Sequence, residues 1–283
     1  MVTPFKGDGS IDLDGAATLA DHLVSQGNDG LVISGTTGES PTTTGEEEIE
    51  LLRVVLDAVG DRATIVKGVG TNDTRHSLEL TADANKGGAH ALMVVSPYYN
   101  RPPQTGLIAH CTAIADATDL PVMLYDIPIR TGIPFEPDTI RRLAEHPRIV
   151  AMKDAKGDFE SSARLIAETE LAYYSGDDIN TLAYLRIGAV GLVSVIGHVA
   201  ASQMKRLITE FFAGDLDAAQ KTHDEIVPIC EAIFRTQGVI TSKAALAMLG
   251  LPAGPVRLPL VDATDTERTR LRTELREAGV PIP

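Results

Sequence analysis

Short apolar runs alternate along this chain with longer amphipathic stretches. Seven runs rich in aliphatic and β-branched residues recur at intervals of about thirty positions. They are GLVIS (30–34), TIVKG (64–68), ALMVVS (91–96), PVMLYD (121–126), RIVAMKD (148–154), LAYYS (171–175) and VGLVSV (190–195). Because the runs are apolar without strict alternation, they predict strands buried on both faces, as in a parallel sheet.

The stretches between the runs carry a helical period. From Glu46 to Val59 the apolar residues fall on one helical face, and the segment 138–145 follows Pro137, a residue that favours helix starts. After His198 the pattern is entirely helical. The predicted helices there span 204–213, 215–235, 242–249 and 265–278.

These elements predict an α/β fold. With the opening fragment MVTPF as an additional strand, the chain has eight βα units, which favours a TIM (β/α)₈ barrel over a doubly wound sheet. The expected division is a barrel over residues 1–213, with a first strand that is possibly shortened, and a C-terminal helical extension over residues 214–283. Gly214 and Asp215 are the predicted stop and start signals at this boundary.

Composition narrows the class of protein. The chain has 283 residues, with 25 Lys and Arg against 39 Asp and Glu, so its formal charge is −14. This charge disfavours nucleic acid or an anionic membrane as a partner. No apolar stretch is long enough to cross a membrane, the N-terminus lacks the apolar core of a signal peptide, and two cysteines make no disulfide framework. We therefore expect a cytoplasmic protein.

Polar residues end several of the predicted strands, where the active site of a barrel lies. Lys153 follows the apolar run Ile149–Met152, so it should project from a strand end. A desolvated lysine has a lowered pKa, and its neutral amine can attack a ketone to form a Schiff base. The alternatives are an ion pair, for example with Asp154, and a phosphate-binding charge.

Other strand ends carry further candidates, each with an ordinary structural alternative. Tyr125 has a phenol that could relay protons, or it is a core aromatic with a satisfied hydroxyl. Arg130 offers a fork for a carboxylate, or it forms a surface ion pair. Thr36 and Thr37 lie between glycines where hydroxyls and amides can face a carboxylate, or they cap the following helix.

The chain shows no convincing metal or phosphate motif. Its seven histidines have no HxH or HExxH spacing. Asp177 and Asp178 follow Gly176, which favours a helix N-cap over a metal site. We expect neither a metal nor another cofactor.

Taken together, five motifs resemble the dihydrodipicolinate synthase family over essentially the whole chain, and the actinobacterial branch in particular. They are GTTGES (35–40), SPYYNRPPQ (96–104), YDIPIRTG (125–132), MKDA (152–155) and SGDD (175–178). The resemblance implies a class I aldolase type of lyase. Such an enzyme condenses pyruvate with aspartate semialdehyde to give 4-hydroxy-tetrahydrodipicolinate on the path to diaminopimelate and lysine, and it forms homotetramers.

The resemblance assigns roles to individual residues. Lys153 matches the lysine that forms an imine with pyruvate. Tyr125, Thr36 and Tyr99 match the proton relay, and Tyr99 is expected to reach across from a neighbouring subunit. The covalent imine takes the place of any cofactor.

Four further residues match substrate-binding positions. Thr37 and the adjacent backbone amides match the grip on the pyruvate carboxylate, and Arg130 matches the arginine that receives the carboxylate of the semialdehyde. Gly176 and Val193 match positions that line the pocket.

The chain also departs from the family pattern. Members usually carry a short segment before VTPF that supplies most of the first strand, whereas here Met1 stands directly before it. At the site where lysine inhibits sensitive members, Ser40 and Asn72 fit. Glu48 and His76 stand where those members have a histidine and a glutamate, which predicts weak or absent inhibition by lysine.

Two other functions compete with this one. N-acetylneuraminate lyase and the keto-deoxy sugar acid aldolases share the lysine and tyrosine, but generally lack an arginine spaced like Arg130. A catalytically silent barrel used for binding or assembly is the third hypothesis. The intact set of lysine, tyrosines and threonine argues against it.

Overall fold

A computed structural model describes residues 1–283, which contain one seven-stranded parallel sheet and fifteen helical segments. The strands follow one another in the sheet in chain order. They are β1 (Gly30–Ile33), β2 (Thr64–Gly68), β3 (Ala91–Val95), β4 (Val122–Asp126), β5 (Ile149–Asp154), β6 (Ala172–Ser175) and β7 (Gly191–Leu192). Each lies within one of the seven apolar runs, so the α/β class and these strands are confirmed.

Twelve α-helices and three short 3₁₀ helices connect and follow the strands. The α-helices are α1 (Leu13–Ser25), α2 (Gly45–Val59), α3 (Thr74–Gly87), α4 (Gln104–Asp116), α5 (Pro128–Thr131), α6 (Pro137–Ala144), α7 (Phe159–Glu168), α8 (Thr181–Arg186), α9 (Ala201–Phe212), α10 (Leu216–Ile233), α11 (Gly238–Met248) and α12 (Asp265–Glu277). The 3₁₀ helices are Ser40–Thr42, Asp178–Asn180 and Ile196–His198. No helix is long and apolar enough to span a membrane.

The prediction of a strand in MVTPF is wrong. In this segment only Phe5 forms a bridge, an isolated antiparallel one with Ile11. Pro4 has no amide proton to donate to a ladder. Individual hydrogen bonds hold the segment instead. The Met1 amino group donates to the Val32 carbonyl at 2.6 Å, and the Val2 amide donates to His198 Nε2 at 3.0 Å.

The chain divides into two compact units, residues 1–65 with 195–283 and residues 66–194. In the first unit, α1 packs on α2, α9 on α10, and both α10 and α11 on α12. In the second unit, β3 to β6 form the centre, α3 packs on α4, and α4 packs on α6. The boundary between residues 213 and 214 remains a prediction.

The predicted stop and start signals at Gly214 and Asp215 are confirmed as local features. Gly214 has a φ of +82°, which suits a glycine just past a helix end, and its amide donates to the Phe211 carbonyl at 3.0 Å. The Asp215 side chain accepts from the Ala218 amide and so caps α10.

In the second unit, the pleat of the strands sorts their polar ends onto two faces. Tyr125 on β4 is paired in register with Lys153 on β5, and Lys153 with Tyr174 on β6. Successive residues of a strand point to opposite faces. Asp126 and Asp154, one position further on, therefore lie on the face opposite to Lys153.

Candidate active site

Lys153 and Tyr125 form a contacting pair at the carboxyl ends of β5 and β4. The Lys153 amine lies 3.9 Å from the centroid of the Tyr125 ring. Lys153 is 9% exposed and Tyr125 is 4% exposed, so both side chains are buried although they are polar. The register between the two strands brings them together without any contribution from loops.

The environment of Lys153 destabilises its charged form. Burial lowers the pKa of Lys153 to about 8, the charge of Asp178 opposes this shift, and the charge of Arg130 adds to it. The amine forms no ion pair. Asp154, the partner considered from the sequence, instead accepts from the Ser162 hydroxyl and from the Lys156 amide on the other face.

Tyr125 keeps its proton at neutral pH. Burial raises the pKa of its phenol, Arg130 lowers it, and the charges of Asp177, Asp126 and Asp178 raise it further. Its hydroxyl forms no hydrogen bond within the chain, so the alternative of a core tyrosine with a satisfied hydroxyl does not hold. A phenol of this kind is placed to donate a proton to a group bound beside the Lys153 amine.

Arg130 lies in the short helix α5, directly after β4. Its side chain is exposed, and its guanidinium forms no hydrogen bond or ion pair within the chain. A surface ion pair, the ordinary alternative, is therefore absent. Its charge nevertheless acts on the pKa of both Lys153 and Tyr125. An arginine with five unused donors, whose charge reaches a buried amine, is suited to an anionic ligand.

Gly176 and Val193 follow the ends of β6 and β7. The Gly176 amide donates to the Asp154 carbonyl at 2.7 Å, and the Val193 amide donates to the Ser175 carbonyl at 2.8 Å. A Cβ atom on Gly176 would come within 2.9 Å of the Ala155 Cβ. Only glycine fits there, because the β5 backbone passes directly against it.

Tyr99 stands apart from the pair in this chain. It lies in the loop after β3, has a φ of +73° and is 90% exposed. Its hydroxyl forms no hydrogen bond within the chain. A positive φ is unusual for an aromatic residue and marks a backbone held in a strained shape.

In the first unit, Thr36 and Thr37 lie in a tight turn after β1. The Gly38 amide donates to the Gly35 carbonyl at 3.0 Å and so closes the turn. Neither threonine hydroxyl forms a hydrogen bond within the chain. The alternative that these threonines cap the next helix is wrong, because Thr44 caps α2 in a capping box with Glu47.

Asp177 occupies the N-cap position that the sequence predicts after Gly176, although no capping bond forms there. Asp177 precedes the 3₁₀ helix Asp178–Asn180, but its side chain makes no capping bond and accepts instead from the Asn180 amide group at 2.7 Å. Asp178 accepts from the Ser194 hydroxyl. Nowhere in the chain do three or more His, Cys, Asp or Glu side chains form a group that could hold a metal ion. The expectation of no metal remains a prediction.

Sequence reasoning missed a buried acid behind the pair. Asp126 lies 3.6 Å from the Lys156 amine, and both its oxygens lie 3.3 Å from the Phe135 amide. Burial raises the pKa of Asp126 to about 7; Lys156 lowers it and Asp154 raises it. The signal in the sequence was an acid directly after each candidate residue, in YD and KD.

The fold and the site define an α/β protein with a buried, unpaired amine at the carboxyl end of a parallel strand. Comparison with known families makes this more specific. The model of the dihydrodipicolinate synthetase family matches residues 1–278. The chain belongs to that family, so the resemblance drawn from its motifs is confirmed.

Individual relatives agree. The chain is 63% identical over 279 residues to the 4-hydroxy-tetrahydrodipicolinate synthase of Acidothermus cellulolyticus, covering 99% of this chain and 91% of that protein. The dihydrodipicolinate synthase of Cyanidioschyzon merolae, solved with lysine bound, is 44% identical with a TM-score of 0.96, covering 99% and 96%. That of Acinetobacter baumannii, solved with pyruvate, is 37% identical with a TM-score of 0.95, covering 99% and 97%.

The buried acid predicts how stability depends on pH. An unfolded Asp has a pKa of about 3.9, whereas that of Asp126 is about 7 in the fold. Between these values the folded chain binds more protons than the unfolded chain, so the free energy of unfolding falls as pH rises and then levels off. Asp126→Asn should remove more than about 1 kcal/mol of this fall between pH 5 and pH 8 in urea unfolding.

Asp138→Asn is the matched control, because Asp138 is an exposed acid of the same unit. It should show the same pH dependence as the unaltered protein. If Asp126→Asn lost stability from pH 5 to pH 8 as steeply as this control, the buried carboxyl would not hold its proton as described.

Proposed function

We propose that this protein condenses pyruvate with L-aspartate 4-semialdehyde to give 4-hydroxy-tetrahydrodipicolinate, as a lyase of the class I aldolase type. The observation that carries the proposal is the buried and unpaired Lys153 amine, with a pKa of about 8, against the Tyr125 ring. The names of its relatives support the same reaction.

The chemistry begins at the Lys153 amine. Its neutral form attacks the ketone carbon of pyruvate, and loss of water gives an imine. Loss of a methyl proton then gives an enamine, whose carbon attacks the aldehyde of the semialdehyde and re-forms the imine. The amino group of the semialdehyde then attacks the imine carbon and displaces the Lys153 amine, which closes the ring of the product and frees the lysine. Tyr125, which holds its proton at neutral pH, serves as the acid and base for these transfers. The covalent imine provides the electron sink, so the proposal needs no metal and no redox cofactor.

The other roles follow from matching motifs. In the proposal Thr36 and Tyr99 complete the proton relay, and Thr37 with its neighbouring amides binds the pyruvate carboxylate. Arg130 receives the carboxylate of the semialdehyde. The hydroxyls of Thr36 and Thr37 and the guanidinium of Arg130 form no hydrogen bond within the chain. This supports the assignments, because each group keeps all its donors and acceptors for a ligand.

Gly176 and Val193 are proposed to line the pocket. The close packing of Gly176 on the β5 backbone supports this role, because a side chain there would displace the strand that carries Lys153.

We also propose the finer architecture. In a closed (β/α)₈ barrel, residues 1–5 would occupy the position of the first of eight strands, before β1. Residues 214–283 would form a helical extension. The bonds from Met1 to Val32 and from Val2 to His198 support this placement of the first residues. Two solved structures of the family, with TM-scores of 0.95 and 0.96, support the architecture. A homotetramer in the cytoplasm completes the proposal; Cys111 and Cys230 form no disulfide.

The proposed reaction predicts that borohydride with pyruvate adds a reduced imine to Lys153. The rate of trapping should rise with pH up to about 8 and then level off, because only the neutral amine reacts. Lys153→Arg should abolish trapping and lower kcat by more than about 10³-fold. Peptide mass mapping locates the adduct.

Lys86→Arg, a change at an exposed lysine of the same unit, is the control and should trap pyruvate normally. An adduct on any lysine other than Lys153, or trapping that persists in Lys153→Arg, would contradict the proposed chemistry.

Arg130 separates condensation with the semialdehyde from the reactions of related lyases. Arg130→Gln should raise the KM for aspartate semialdehyde about 10- to 100-fold, because a charged hydrogen bond to its carboxylate is lost. Trapping of pyruvate alone should change little. Arg142→Gln, which alters a surface arginine paired with Glu145, should leave both steps unchanged. Efficient cleavage of sialic or keto-deoxy sugar acids, with no effect of Arg130→Gln, would favour the other lyases.

The proposed role of Tyr99 in a partner subunit predicts complementation. Tyr99→Phe and Lys153→Arg should each be nearly inactive. In randomly mixed dimers half are mixed, and one of the two sites in each mixed dimer receives both intact residues, so about one quarter of the activity should return. If Tyr99 acted within its own chain, no mixed site would be intact and the mixture would stay inactive.

A further inference from the structure

The turn from Gly35 to Gly38, which carries Thr36 and Thr37 and is here called the threonine turn, lies between two strained residues. Ser34 has a φ of +50° and Glu39 a φ of +58°, although neither is glycine. Side chains disfavour this left-handed region, so such residues persist only where surrounding structure imposes them. Between them, Gly35 to Gly38 carry Thr36 and Thr37. Strain on both sides of one turn points to a shape that other contacts maintain.

Glu39 is held by a buried ion pair. Its carboxylate lies 2.6 Å from the Lys243 amine and accepts from the Arg257 amide at 2.9 Å. Glu39 is 2% exposed and Lys243 is 3% exposed, so the pair lies almost wholly out of water. Lys243 belongs to α11, and Arg257 to the loop before α12. A residue of the turn is thus bound by the C-terminal part of the chain.

Both cations are themselves held in place. The Lys243 amine and the Arg257 guanidinium each lie 4.2 Å from the centroid of the Phe5 ring. The Lys243 amine also donates to the Pro255 carbonyl at 2.8 Å. Arg257 donates to the Gly9 carbonyl and to the Glu47 carboxylate. The anchor of Glu39 is therefore rigid, because each of its members has several partners.

A buried ion pair is a poor way to stabilise a fold. Taking two charges out of water is costly, and well-packed apolar side chains of similar volume are often as stabilising. What such a pair does supply is geometry, because the carboxylate must meet both the amine and the backbone amide. Here the carboxylate belongs to the residue that ends the threonine turn, and the Glu39 amide donates to the Thr36 carbonyl at 3.1 Å.

We propose that Glu39, held by Lys243 and the Arg257 amide, is a positioning residue that fixes the turn of Thr36 and Thr37 for a 2-oxo acid carboxylate. The inference rests on the proposed function, which gives that turn its ligand. The C-terminal residues 243–257 then determine how tightly pyruvate is held, although none of them touches it.

Glu39→Gln tests this, since it removes the charge but keeps the shape. The measurement is the borohydride trapping rate as a function of pyruvate concentration. The concentration for half-maximal trapping should rise at least tenfold, while the maximal rate at saturating pyruvate stays within about threefold. Glu50→Gln is the control, because it removes an exposed carboxylate of α2 that lies outside both the turn and the anchor of Glu39. It should leave the half-maximal concentration unchanged.

A double variant separates positioning from stability. Glu39→Gln with Lys243→Met removes both buried charges, so it should unfold at a urea concentration close to that of the unaltered protein. Pyruvate should still be held at least tenfold more weakly. Normal pyruvate affinity in both variants would overturn the inference. A double variant that fails to fold would also overturn it, because the pair would then serve folding and not the turn.

Failure of the proposed function would look different. If the unaltered protein is not trapped by pyruvate, or is trapped at another lysine, the proposed function fails. If the unaltered protein is trapped at Lys153 and Glu39→Gln binds pyruvate normally, only the positioning role fails.

Discussion

The site depends on one constraint, the in-register pairing of β4 and β5. That pairing sets Tyr125 beside Lys153 and keeps the amine 3.9 Å from the ring centroid. Burial at this position lowers the pKa of Lys153 to about 8, although the charge of Asp178 opposes the shift. A nucleophilic amine at neutral pH is therefore a consequence of strand geometry.

The pleat of the same strands keeps the neighbouring acids away from the Lys153 amine. Asp126 and Asp154 directly follow Tyr125 and Lys153, yet they lie on the opposite face and bind Lys156 and Ser162. One position along a strand thus separates the face of the amine, where no carboxylate forms an ion pair with it, from the face that carries Asp126 and Asp154. A shift of one residue in register would place a carboxylate beside Lys153 and raise the pKa of its amine.

The threonine turn shows a different kind of support. Its residues come from a loop, and loops hold strained backbone only when other groups bind them. Here Lys243 and the Arg257 amide bind Glu39, which ends the turn. Both residues belong to the C-terminal part of the chain, which the helical pattern alone predicts to be a separate extension. Within the first unit, the C-terminal helices are therefore part of the support of the turn.

The amino-acid sequence by itself determined the seven strands, the C-terminal helices and the candidates at the strand ends. Apolar runs and their final polar residues are local features, and the period of a strand or helix is visible in a single chain. Its motifs also determined the family. The segment MVTPF misled because its apolar residues suit a strand, while Pro4 cannot donate to a ladder.

Only the tertiary structure decided which candidates lack partners. The packing of the chain keeps Asp154 away from the Lys153 amine. It also makes Thr44, and not Thr36 or Thr37, the cap of α2. Finally, it brings Glu39 to Lys243, about two hundred residues away in the sequence. Burial, strand register and long-range ion pairs determine the pKa of a group and the groups that it contacts. They arise from contacts between distant residues, which no local pattern contains.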